Sequence, residues 1–144
     1  MANFSISTTT NRSPEDVFSY LADMSHASEW DPGVLQARRL DEGPLAVGSA
    51  FELRLQAFGQ RFTLTYTIAE LEPPTKVVLS SENSFVVSRD TITVAANEEG
   101  TTTVAYSAEL EGKGLAAVAE PLWRFIINSL GQQAAEGFLA QFAP

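Results

Sequence analysis

Three side chains in this sequence join an acid–base group to an apolar strand face: Asp90, Tyr66 and Tyr106. Asp90 shares parity with Ile92 and Val94, so its carboxyl points to the dry side near a strand end, where desolvation favours the protonated acid. Tyr66 alternates with Thr65 and Thr67, and Tyr106 with Ser107, placing two phenols on that side. An unpaired buried hydroxyl costs about 1–3 kcal/mol, so each must bond a ligand's polar group, a neighbouring side chain, the backbone or water. Together the three could polarise a carbonyl or move a proton. They are candidates for catalysis and not a recognisable constellation, because strand ends are often solvated and a bulge would reverse Asp90. Glu70, beside the Pro73-Pro74 turn, has the same ambiguity.

Other chemistries lack their residues. His26 is the single histidine, there is no cysteine and no H-E-x-x-H spacing, so no metal site and no cofactor is expected. General-base work by His26 would need a positioned partner, and a solvated or capping histidine is the simpler reading. Ser88 and Ser129 have no His–Asp/Glu set around them, so a hydrolase triad is unsupported. Eighteen acidic against nine basic residues give a formal charge of -9, which repels nucleic acid and anionic membranes. No apolar run approaches the roughly 20 residues of a membrane span, and the N-terminus has no signal-peptide pattern, so stable membrane insertion is not expected and a cytoplasmic setting is. A homodimer is compatible with the sequence but has no signature in it.

The elements that position these groups are legible from patterning. Phe4, Ile6 and Thr8 alternate with Ser5, Ser7 and Thr9, which predicts a first strand. Ser13-Pro14-Glu15-Asp16 supplies an N-cap, a proline for the first helical position and two carboxylates at the positive end of the helix dipole. Val17, Phe18 and Leu21 are that helix's apolar side, and Asp23 can cap a second short helix that Pro32-Gly33 stops. From Val34 the apolar positions recur every second residue between turn signals at 41–44, 58–60, 73–74, 81–83 and 97–100, predicting six further strands. After Gly114 the period becomes helical: Leu122, Ile126, Leu130, Ala134, Phe138 and Phe142 step along one side, reinforced by Phe125. Pro121 marks the first turn or a kink of this helix. Gly137 falls near its apolar side, where glycine costs about 1 kcal/mol relative to alanine, which either ligand space or close packing onto the sheet would offset.

The segment Ser13 to Asp23, the stretch Glu29-Trp30-Asp31-Pro32-Gly33-Val34, Gly48-Ser49, Glu70-Leu71-Glu72-Pro73-Pro74 and Gly100 to Tyr106 together resemble polyketide cyclase/dehydrase-like proteins of the SRPBCC (START/Bet v 1-like) superfamily over nearly the whole length. The resemblance implies one α+β domain, residues 1–144, with the helix-grip fold: a seven-stranded antiparallel sheet wrapped around a long C-terminal helix, two short helices between strands 1 and 2, and an apolar cavity between helix and sheet. Members of such families bind lipids, sterols, quinones or plant metabolites, or cyclise polyketides. No segment here matches an aromatase or cyclase active site residue by residue, so no catalytic role is carried over.

On this layout Phe51, Leu53, Leu55, Phe62, Leu64, Tyr66, Ile92, Val94, Val104 and Tyr106 form the sheet-side wall. Phe125, Ile126, Leu130 and Phe138 form the roof, and Trp30 plugs the core below the second helix or stacks on a ligand. The same residues would equally make a filled core. The leading expectation is binding or transport of a hydrophobic small molecule. A polyketide cyclase, aromatase or dehydratase in the same cavity and a protein-interaction scaffold are the rivals.

Overall fold

The computed structural model describes the backbone of residues 2–57, 59–83, 86–114 and 120–142. In chain order these form β1 (Ala2–Thr10), α1 (Pro14–Ala22), a 3₁₀ turn (Met24–His26), α2 (Ala27–Trp30), β2 (Val34–Arg39), β3 (Ala50–Ala57), β4 (Gln60–Glu72), β5 (Lys76–Glu82), β6 (Val86–Ala96), β7 (Thr102–Gly112) and α3 (Glu120–Gln141). The strands make one curled antiparallel sheet in the order β1-β7-β6-β5-β4-β3-β2. β2 to β7 run as a meander, and β1 joins its far edge by pairing with β7, Ile6 opposite Tyr106. The seven strands are those the patterning predicts, and the helix-grip architecture is the one the resemblance implies.

Local chemistry sets the helical elbow. Ser13 accepts the Asp16 amide on its Oγ at 3.2 Å and Pro14 opens α1, so the helix starts where its orphan donors are answered. Asp23 Oδ1 then accepts from the Ser25 amide at 3.0 Å and from Ser25 Oγ at 2.6 Å, which starts the 3₁₀ turn. Val17, Phe18, Leu21, Met24, Ala27 and Trp30 from this elbow join Phe51, Leu53, Val77, Leu79, Ile92, Val94 and Val104 of the sheet in one buried core. α3 lies against β1 and β7, and among the described side chains Ala134 and Phe138, with Phe142 just past its end, join that core.

Arg12 pins the end of α3. Its guanidinium donates to the Gln141 carbonyl at 3.2 Å and lies 5.4 Å from the centre of the Phe142 ring, answering a free carbonyl of the helix's last turn with a cation.

Two bulges interrupt the pairing, one between Val34 and Gln36 and one between Ile68 and Glu70. The second resolves the ambiguity at Glu70. Ile68 faces the core, but the extra residue turns Glu70 outward, where it pairs with Lys76 at 3.3 Å.

Candidate functional site

A chain of hydrogen bonds crosses the inner face of β4, β6 and β7. Asp90 lies opposite Ala108 and Ile92 opposite Tyr106, so Tyr106 stands diagonal to Asp90 on one face, and its hydroxyl donates to Asp90 Oδ2 at 2.7 Å. Ser88, two residues back on β6, donates to Oδ1 at 3.4 Å. Thr67 pairs with Ser80 and Ser81 with Ser88, which puts Tyr66 and Ser88 in one row on either side of Ser81. Their hydroxyls meet at 3.3 Å. All four residues are buried, Asp90 most deeply at 3% exposure.

Burial dominates the electrostatics here. Desolvation pushes the Asp90 carboxyl up to about 6, against the hydrogen bonds from Tyr106 and Ser88, and the charge of Asp31 adds to the rise. Tyr66 and Tyr106 are driven well above the usual phenol range by burial and then by Asp90, so both keep their protons throughout the physiological range.

Asp31 is a second, half-buried carboxylate, and strand parity does not reveal it because it sits in the turn between α2 and β2. The Gly33 amide donates to its Oδ1 at 2.9 Å, and its own amide closes α2 on the Ala27 carbonyl at 2.8 Å. Burial raises its pKa, the Gly33 bond opposing. Its charge reaches Asp90, Tyr66 and Tyr106.

An aromatic cluster closes over this network. Trp30, 3% exposed, meets Tyr106 edge-on at 5.6 Å between centroids and Phe138 at 5.7 Å; Phe138 in turn meets Phe142 at 5.1 Å. These ring contacts tie α2, α3 and β7 together. Gly137 makes the approach possible: a Cβ there would come within 1.8 Å of the Trp30 carbonyl oxygen, so the glycine is required for backbone contact between α3 and α2. Gly131 faces the Phe4 ring, which a Cβ would meet at 2.5 Å. Gly137→Ala gains about 1 kcal/mol of helix propensity but forces two backbones apart at a typical cost of about 1–3 kcal/mol, so a net loss of stability is expected. Gly131→Ala displaces a half-buried ring on an edge strand and loses less. Thermal unfolding of the pair checks the order.

The wall positions fall into two groups. Phe51, Leu53, Tyr66, Ile92, Val94, Val104 and Tyr106 are buried with Phe138 and Trp30, whereas Leu55 and Leu64 are half-buried. Phe62 shares the inner face with its cross-strand partner Leu55 and is 39% exposed, at the hairpin end of β3 and β4. Phe125, expected in the roof, stands on α3 away from Phe138. At 100° per residue it lies about 140° round α3 from Phe138, and it is 60% exposed. Ile126, Leu130 and Ser129 lie outside the described side chains. His26 stacks on Tyr20 at 4.7 Å and donates from Nδ1 to the Tyr20 carbonyl at 2.8 Å, a structural use of the ring. Among the described residues no three potential ligands are grouped to hold a metal ion, and no helix is long and apolar enough to cross a membrane.

The fold and the family agree. Residues 1–143 match the family described as polyketide cyclase / dehydrase and lipid transport, and the chain belongs to that family. Among solved structures it is similar to a START superfamily protein from Mycobacterium smegmatis, at 13% identity over 97% of this chain and 96% of that one, with a TM-score of 0.77. The Zhui aromatase/cyclase from a Streptomyces species gives 13% identity, coverage of 96% and 92%, and a TM-score of 0.77. A major latex-like protein from Panax ginseng gives 11%, 99% and 98%, and 0.70. At these identities the likeness is one of fold. A comparison with curated proteins finds no significant match.

Proposed function

We propose that this protein binds a hydrophobic small molecule between the inner face of its sheet and α3, with the Tyr66–Ser88–Asp90–Tyr106 network anchoring the ligand's polar end. The observation that carries this reading is a connected polar array, Asp90 included, set into an otherwise apolar face beneath a helix. A buried carboxylate costs several kcal/mol unless well bonded, and stability alone gives no reason to place one there. A few convergent polar groups in apolar surroundings are the usual form of a small-molecule site. Native mass spectrometry of freshly purified protein, followed by organic extraction, tests it. A co-purifying apolar molecule is expected. Its absence, together with failure to take up a neutral apolar dye, would contradict the reading.

One observation favours a second reading, catalysis on a polyketide-like ligand. A carboxyl raised to about 6 and bonded by Tyr106 at 2.7 Å is suited to exchange a proton near neutrality. Cyclisation or dehydration that survives the combined Tyr66→Phe, Tyr106→Phe and Asp90→Asn changes would remove it.

A further inference from the structure

The donor and acceptor inventory of the network specifies what a ligand must bring to it. An ionised Asp90 only accepts, so the single proton of Ser88 and that of Tyr106 are both directed at its oxygens. Ser88 then has no proton left for Tyr66, and the 3.3 Å contact between them takes its proton from Tyr66. Every hydroxyl proton in the array is thereby committed inward. What remains for a ligand is lone pairs on Tyr66 and Tyr106, with Asp31 nearby adding a carboxylate whose Oδ2 has no hydrogen-bond partner among the described residues.

Among the described side chains, positive charge to balance a ligand anion is also missing. Among the described side chains no lysine or arginine is buried, and the half-buried Arg39, Lys76 and Lys113 are paired with Asp41, Glu70 and Glu82. A carboxylate brought to this array would face two acids and, among the described side chains of the array, no free donor, a like-charge juxtaposition that works as rejection.

Resting on the binding reading above, we infer that the site takes an apolar molecule carrying a hydroxyl or amine donor, and discriminates against carboxylates and against ligands whose polar group only accepts. Isosteric naphthalenes test this at about pH 8, where Asp90 is ionised: 2-naphthol, 2-methoxynaphthalene and 2-naphthoate, each titrated by calorimetry. 2-Naphthol is expected to bind about ten-fold tighter than either of the others, the scale of one hydrogen bond to a charged acceptor system. In Asp90→Asn the amide donates to Ser88, releases a proton along the chain to Tyr66, and the preference over 2-methoxynaphthalene shrinks. Equal or tighter binding of the ether or the carboxylate by the wild-type protein overturns the inference and leaves the binding reading intact. No binding of any of the three overturns both.

Discussion

Phe138→Ala unfolds about 10–15 °C below the wild-type protein. The ring is 1% exposed and touches Trp30, Tyr106 and Phe142, so its removal opens a void where α2, α3 and β7 meet. Truncating a buried phenylalanine costs about 3–5 kcal/mol through lost transfer energy and the residual cavity. In a domain of this size each kcal/mol moves the midpoint by about 3–4 °C. The neighbours on α3 frame the comparison: Leu139 is 43% exposed, and Leu139→Ala is expected to change the midpoint by much less. Scanning calorimetry of the two variants checks this. Equal losses would mean that α3 does not grip the sheet through this cluster.

Asp90→Asn is expected to stabilise the protein at neutral pH. Asp90 has a folded-state pKa near 6, above the ordinary aspartate value of 3.8, so the folded protein holds this proton more tightly than the unfolded chain does. Its contribution is present in full below about pH 4 and is lost as pH rises through about 6, a fall of about 3 kcal/mol in unfolding free energy. Asparagine keeps an acceptor for Tyr106 and a donor for Ser88 while carrying no charge to desolvate. The midpoint difference, variant minus wild type, should therefore grow across the window from about pH 4 to 7 and level off above it. Asp31, whose pKa burial also raises, is present in both proteins, and its coupling to Asp90 is part of the measured difference. A difference that is flat or negative with rising pH would contradict a desolvated Asp90.

Both variants bear on positions whose legibility from sequence differs. The parity of Asp90 with Ile92 and Val94 was readable because a strand's side chains alternate without exception until a bulge intervenes, and β6 has no register shift in its pairing with β5 or β7. Its partners were not readable. Whether Tyr106 faces Ile92 or a neighbour depends on register, which the 97–100 turn and both strands set jointly, and Tyr66 joins only through Ser88 two strands away. The bulge at Ile68/Glu70 has no residue-type marker, so the outward turn of Glu70 was visible only in the structure. On α3 the four-residue stripe led to Phe138 and Phe142, but Phe125 stands about 140° from Phe138 at 100° per residue and is exposed. Gly137 shows the same limit: the sequence says its cost must be offset, and only the 1.8 Å approach of the Trp30 carbonyl shows by what.

The capped α1, the elbow and the six-strand meander were recoverable because their causes are local: Ser13, Pro14 and Asp23 act within three residues of themselves. Asp31 was not, because a turn between two short elements has no period, and its role depends on strands distant in sequence. This is the general division in such a fold. Local capping and alternation write the scaffold, while the polar site is assembled from side chains brought together by register.

In the proposed mode of binding an apolar molecule enters between the inner sheet face and α3 beside Tyr106. Nitrogen-15 NMR of the wild-type protein titrated with 2-naphthol tests it most directly. Saturable shifts are expected at amides of β6 and β7 around Asp90 and Tyr106, at Asp31, and along α3 from Gly131 to Phe138, with the outer-face surface of β3 and β4 unmoved. Shifts confined to that outer face, or no saturable shifts at all, would contradict it.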